Sequence, residues 1–408
     1  MYMIYARTIT KQLHYTAKTF AAIVMTGPRQ SGKTTLLRRE FGSTHAYFNL
    51  ENPDVQSRAV ADPIGFLASI SKPAILDEIQ YAPGLLPYIK EKIDNDRTPG
   101  QWLLTGSQNF TLMKGVTESL AGRAAILTLL PLSLAERQGK GKDSLDIHDL
   151  ISQKQPLLFH RIANTPDYIM TGGYPEPLGS KSLAYRTWAS SYIKTYLERD
   201  VRDLKNIGNL LQFQIFLKFC AIRTGQILDL SAIAREIGIS FTTAKSWLSV
   251  LVASYQIILL SPYFQNLGKR LIKRPKLYFV DTGLAAHLMG INDLETLKSS
   301  PQYGALFETM VITDFFKRGY HHIHDPRLYY MHTRDGLEVD LVIEDNQKLY
   351  LVEIKSSSTI TPTHATSLLR LKREIPDKIA GSFLLTNAKE SFTISGITQH
   401  PALSFLAL

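Results

Sequence analysis

The run Gly27-Pro28-Arg29-Gln30-Ser31-Gly32-Lys33-Thr34-Thr35 decides how the N-terminal half is read. Before it lies a short apolar run, residues 21–26, of buried-strand character. After it, Leu36 and Leu37 begin a helical pattern. The G-x-x-x-x-G-K-[ST] spacing thus stands in the strand–loop–helix setting it requires. Each residue type has a physical reason. Gly27 and Gly32 let the backbone curl so that successive N–H groups face phosphate oxygens, and Arg29, Ser31 and Thr35 complete the phosphate-facing surface. The helix starting near Lys33 adds its positive dipole end. Lys33 is placed to reach the β- and γ-phosphates, and the Thr34 hydroxyl to ligate Mg²⁺. The expected cofactors are ATP and Mg²⁺.

Working outward, Pro73-Ala74-Ile75-Leu76-Asp77-Glu78 reads as an apolar strand ending in two acids. Asp77 is expected to hold the metal through water, and Glu78 to orient or deprotonate the attacking water as the catalytic base. A third strand, residues 101–105, ends in Gly106-Ser107-Gln108. From there Ser107, with Gln108 in reserve, is expected to contact the γ-phosphate or the lytic water. Ala121-Gly122-Arg123 follows. Arg123 reads as a γ-phosphate sensor or as a finger acting on a neighbouring subunit of a homo-oligomer; the alternative is a surface ion pair.

The 408 residues suit two or three domains. With 44% hydrophobic and 20% charged residues, the composition is that of a folded globular chain, not a disordered one. No apolar run approaches the roughly 18 residues needed to cross a bilayer, so no membrane partner is expected. The first 18 residues lack a signal-peptide core, and the expected location is the cytoplasm. A lone cysteine, Cys220, argues against a disulfide framework or a Cys-rich zinc site. The net charge of +10 favours a polyanionic partner, which makes nucleic acid, DNA before RNA, the expected macromolecule.

Pattern changes divide the chain into 1–160, 161–295 and 296–408. Strand–helix alternation in the first part predicts a parallel α/β sheet. The second part is mostly helical. Within it, residues 230–251 read as a helix-turn-helix: Ser231 and Ser240 suit N-caps, and Gly238 suits the turn. A strand at 256–260 gives a winged-helix outline. Thr242, Thr243, Lys245 and Ser246 would face outward for phosphates or base edges. Gly268-Lys269-Arg270-Leu271-Ile272-Lys273-Arg274-Pro275-Lys276 would be a basic wing tip against a phosphate backbone, or a solvated loop.

In the last part a helix at 304–317 carries Glu308, followed by strands at 328–333, 337–343 and 349–355, a helix at 363–374 and a strand at 382–386. Strand alternation puts Glu353 and Lys355 on one face, and Glu338 and Asp340 on one face of the next strand. Carboxylates on neighbouring strands with a lysine beside them suit Mg²⁺ or Mn²⁺ and a water poised against a phosphodiester. Asp340, Glu353 and Lys355 are the expected catalytic residues there; Glu308, Asp340 and Glu353 are the expected metal ligands.

Two resemblances follow from these residues. GPRQSGKTTLLRR, AILDEIQ, LLTGSQNF and SLAGRAAILTLLPLSLAE, continued by TGGYPEPL, YLERDVRDL, GKRLIKRPKLYFVDTGL and LEVDLVIE, resemble a prokaryotic branch of AAA+-type ATPases. That branch carries a C-terminal domain of unknown function, and the likeness covers nearly the whole chain. It implies ATP binding and an AAA+-like core sheet. Its phosphate loop maps onto Gly27 to Thr34, its acidic pair onto Asp77 and Glu78, and its AGR element onto Ala121 to Arg123. The C-terminal order of elements resembles the PD-(D/E)xK nuclease fold, whose metal and catalytic positions match Asp340, Glu353 and Lys355, although the Pro-Asp of the family name is absent, with Val339 before Asp340. The expected fold is therefore multidomain α/β: a P-loop parallel sheet, a helical middle with a winged-helix-like segment, and a PD-(D/E)xK-like domain.

Overall fold

Apolar runs of four or five residues, each separated from the next by a helix or turn, leave a chain little choice but a buried parallel sheet. In the computed structural model, which describes residues 4–71, 73–106, 119–153, 165–179, 184–196, 210–263, 273–323, 325–333 and 335–408, five of them pair in parallel. They are β1 Ala22–Thr26, β2 Ala46–Asn49, β3 Ala74–Asp77, β4 Trp102–Thr105 and β5 Ala124–Thr128, in the order β2-β3-β4-β1-β5. Alternate residues feed two cores. Ala22, Val24, Leu76 and Leu104 pack with the helix Leu85–Asn95. Ile23, Met25, Ile75 and Leu103 pack against the helices Thr10–Ala17 and Lys33–Phe41. This order inserts β4 between β1 and β3, so the ends of all three open on one edge.

A second, nine-stranded sheet carries the rest. Its strands are β6 Gln226–Ile227, β7 Ile257–Pro262, β8 Lys276–Phe279, β9 Leu328–His332, β10 Glu338–Asp345, β11 Lys348–Lys355, β12 Ile379–Thr386, β13 Phe392–Ile394 and β14 Ile397–Pro401. Their order is β13-β14-β12-β11-β10-β9-β7-β8-β6. The strands β9, β10 and β11 are antiparallel neighbours, and β12 runs parallel to β11 after the helix Thr366–Glu374. The helix Tyr303–His321 is buried over most of its length. Ser261 and Pro262 of β7 pair with Tyr329 and Tyr330 of β9, so the boundary expected after residue 295 runs between strands bonded to each other. One apolar core, from Leu134 to Leu406, underlies both sides of it.

The helix-turn-helix segment forms the helices Leu230–Glu236 and Phe241–Ala253, with Gly238 at φ +70° between them. Ser240 caps the second helix by accepting the Thr243 N–H at 3.0 Å. The first cap differs from expectation. Asp229, not Ser231, accepts the Ala232 N–H at 3.0 Å, because the helix begins two residues earlier than the apolar pattern suggests.

Candidate functional site

The phosphate loop leaves the end of β1 through three left-handed residues, Gly27 (φ +134°), Gln30 (φ +58°) and Gly32 (φ +96°). A Cβ at Gly27 would come within 2.1 Å of the Leu129 carbonyl oxygen, so sterics as well as φ demand glycine there. Gln30 is held in its unusual conformation from outside: Trp188 Nε1 donates to its side-chain oxygen at 2.9 Å. Lys33 is buried, its Nζ donating to the carbonyls of Gly27 and Pro28, each at 2.9 Å. Ser31 is wholly buried, its hydroxyl without a hydrogen-bond partner.

The second half of the site joins the first through one carboxylate. Thr34 Oγ1 donates to Asp77 at 2.8 and 3.1 Å, Tyr47 OH donates to it at 2.7 Å, and Thr105 Oγ1 is a third donor. Burial and the neighbouring Asp77 push the Tyr47 phenol well above its ordinary range, so it stays a donor. Thr105 Oγ1 also accepts the Glu78 N–H at 3.0 Å. Glu78 itself is left-handed (φ +58°), lines the cleft beside the loop and accepts from Gln80 Nε2. Neither Tyr47 nor Thr105 follows from the sequence: only the strand order brings them to Asp77. A cleft of about 370 Å³ opens here, lined by Lys33, Thr34, Thr35 and Glu78 on one side and by Tyr5, Pro175 and Glu176 on others. Hard oxygen donors at Thr34 and Asp77 beside a buried lysine fit Mg²⁺ and polyphosphate.

Four expected residues are not seen at the cleft. Ser107 and Gln108 lie outside the described residues. Arg29 is half-buried and does not line the cleft. Arg123 precedes β5, whose Ala124 is level with Ala22, so it sits at the opposite end of the sheet from the loop. There it forms a two-point ion pair with Asp94, at 2.6 and 3.0 Å. As a γ-phosphate sensor within this chain it is misplaced; local motif spacing suggested the role, and strand direction overrules it.

In the C-terminal sheet, Asp340 and Glu353 are both buried. Lys355 Nζ bridges them, 3.4 Å from Asp340 and 2.7 Å from Glu353, and the Ile354 N–H donates to Asp340 at 2.8 Å. Glu308 accepts from Tyr278 OH at 2.6 Å and from Lys276 Nζ at 3.4 Å, and Lys276 also reaches Glu338 at 2.8 Å. Burial, then the nearby Asp340, push the Glu308 carboxyl up to about 7 and that of Glu353 up to about 8, with the lysines opposing. Glu353 Oε2 is buried with no hydrogen-bond partner. Yet among the described residues no three His, Cys, Asp or Glu side chains gather at one point that would hold a metal. The cations of Lys276 and Lys355 stand between the carboxylates instead. Glu308, Asp340 and Glu353 are thus bridged by lysines, and Lys276, expected to face outward in the basic run, is 4% exposed. The other end of the basic run, residues 268–272, lies outside the described residues, and Arg274 pairs with Asp229 at 2.7 Å.

The fold and the loop define a P-loop module of AAA type. Residues 19–138 match the family model described as an AAA domain, 162–295 a domain of unknown function (DUF8612), and 303–405 a domain of unknown function (DUF4143). The uncharacterized protein Rv2008c of Mycobacterium tuberculosis is 32% identical over 339 residues, covering 83% of this chain and 70% of the relative. The uncharacterized protein MJ1544 of Methanocaldococcus jannaschii is 23% identical, covering 81% and 74%. The chain belongs to the same family as the mycobacterial protein. Among solved structures, the Walker-type ATPase PABY2304 of Pyrococcus abyssi superposes with a TM-score of 0.42 at 15% identity, covering 69% of this chain and 94% of that one. A RuvB variant of Thermotoga maritima superposes at 0.30 with 17% identity, covering 61% and 88%. No helix among the described residues is long and apolar enough to cross a membrane.

Proposed function

We propose that the protein is a Mg·ATP hydrolase whose nucleotide cycle controls a C-terminal unit acting on nucleic acid, DNA in preference to RNA. The observation that carries the ATPase part is the bond from Thr34 to Asp77 beside the buried Lys33, with Glu78 one residue further on. Thr34 and, through water, Asp77 would hold Mg²⁺, which supplies charge neutralisation across the β- and γ-phosphates. Lys33 exchanges its two loop carbonyls for phosphate oxygens, and the loop amides take the remaining charge. Glu78 receives the proton of the attacking water.

The nucleic-acid part rests on the order helix, β9-β10-β11, helix, β12 and on Asp340, Glu353 and Lys355 sharing one face. The unpartnered Glu353 Oε2 supports a divalent cation there, Mg²⁺ or Mn²⁺. The net positive charge and the exposed Thr242 and Lys245 of the helix-turn-helix support contact with a phosphate backbone. A second reading, a C-terminal domain that binds without cutting or serves a protein partner, is favoured by Lys276 and Lys355 already neutralising the carboxylates. Purified protein is assayed for ATP turnover with and without DNA or RNA, beside a cleavage assay with Mg²⁺ or Mn²⁺. The proposal expects turnover that is lost in Lys33→Ala and nicking that is lost in Asp340→Ala and Lys355→Ala. Salt-sensitive binding without any nicking establishes the second reading; no nucleic-acid binding at all removes the nucleic-acid part.

A further inference from the structure

The rear wall of the ATP cleft is not built by the AAA domain alone. Arg7 is 5% exposed and points three ways: Nε to Glu136 at 3.1 Å, Nη1 to the Ser31 carbonyl at 2.7 Å and Nη2 to the Leu130 carbonyl at 2.6 Å. Glu136 is wholly buried and accepts the N–H groups of Thr8 at 2.8 Å and Ser133 at 2.9 Å. Burial alone would raise its carboxyl, but Arg7 and His321 beside it hold it well below the usual range. Glu136 Oε2 lies 3.3 Å from Nδ1 of His321, which is also fully buried and ends the helix Tyr303–His321. His321 Nε2 accepts the Leu130 N–H at 3.2 Å, and its Nδ1 stands in ion-pair range of Glu136 without a well-formed hydrogen bond. Arg7, Leu130, His321 and Glu136 therefore close a ring.

The ring touches the phosphate loop at both ends. Leu129, next to Leu130, abuts Gly27, and Arg7 pins the carbonyl of Ser31. Ser31 C=O and Gly32 N–H belong to one rigid trans peptide and point in opposite directions. A donor fixed on that oxygen from behind aims the Gly32 N–H forward, toward the phosphates. Glu136 balances the guanidinium, so Arg7 works through the loop and not as a free cation for the phosphate. The helix that ends in His321 also carries Glu308, about 20 Å away at 1.5 Å per residue.

We propose that the C-terminal helix is a working part of the ATP site: Arg7 is a positioning residue that sets the phosphate loop through Ser31, and His321 keeps Arg7 in place through Glu136 and Leu130. This rests on the ATP-binding reading of the cleft. The test uses the full chain with Mg²⁺ and a fluorescent ATP analogue, comparing wild type, Arg7→Lys, His321→Gln and the double variant, with circular dichroism as the control for folding. Lysine keeps the charge beside Glu136 but cannot span three partners, and glutamine lacks the paired ring nitrogens. Each single variant is expected to weaken nucleotide binding about tenfold, the scale of one lost charge-assisted hydrogen bond. KM for ATP rises with it, while kcat changes less than about threefold. The double variant binds no worse than the weaker single one, since an opened ring cannot be opened twice. Folded single variants that bind within twofold of wild type, or losses that multiply in the double variant, overturn the proposal. If His321→Gln does not fold, Arg7→Lys alone decides. A wild type that binds no ATP removes the underlying reading instead.

Discussion

Asp77 and Glu78 are neighbours in sequence with different surroundings, and one hydroxyl manages both. Thr105 Oγ1 donates to Asp77 and accepts the N–H of Glu78, which fixes the left-handed backbone that sets Glu78 beside the loop. Thr105→Val keeps the shape and removes both bonds. It is expected to lower kcat for ATP by about ten- to a hundredfold while nucleotide affinity changes less than about threefold, measured by steady-state turnover beside equilibrium binding. Unchanged kcat would show that Glu78 needs no such support. Lys33, Thr34, Asp77 and Glu78 were legible in sequence because their chemistry depends on spacing within one strand–loop–helix unit or at one strand end. Thr105, Tyr47 and Arg7 were not, since they reach the site only through strand order and a buried ring. The same physics explains Arg123: its motif is local, but its place is decided by the direction of β5.

Strand β8 shows how register can reverse the meaning of a charge. Lys276 belongs by sequence to a basic run suited to a phosphate backbone, but pairing with β7 turns its side chain inward onto Glu308 and Glu338. Lys276→Met leaves Glu308 without its cation. It should destabilise the protein by about 3 kcal/mol at pH 8, and by less at pH 6, where Glu308 takes up a proton; urea unfolding at both pH values measures this. The metal-free protein has a pH dependence of its own. In the unfolded chain Glu308 and Glu353 ionise near 4.5, whereas in the fold they keep their protons up to about 7 and 8. Between those values the native state binds more protons, so this contribution is complete below about 4.5 and is lost as pH rises toward 8. Glu353→Gln should flatten that decline in thermal melts recorded with EDTA. A slope unchanged by the substitution would assign the pH dependence to other groups. Strands β9 to β12 of this unit could be read from alternation and turn residues, while β13 and β14 were not read. Their joining with β7 and β8 in one sheet could not, because nothing local marks which edges meet.

Across the whole molecule, the ATP cleft is a junction. Pro175 and Glu176 line it and Trp188 holds Gln30, so the helical middle touches the phosphate loop directly, whereas His321 reaches it only through Glu136, Leu130 and Arg7. On the proposed reading these contacts couple nucleotide state to the arrangement of the C-terminal unit, and such a coupling runs in both directions. The central claim is that this cleft binds and hydrolyses Mg·ATP with Glu78 as the base. The most direct measurement is paired ATP binding and single-turnover hydrolysis for wild type, Lys33→Ala and Glu78→Gln. The account predicts that wild type binds and hydrolyses, that Lys33→Ala loses binding, and that Glu78→Gln binds ATP within about threefold of wild type while hydrolysis falls at least about a hundredfold. Hydrolysis by Glu78→Gln at the wild-type rate would contradict it.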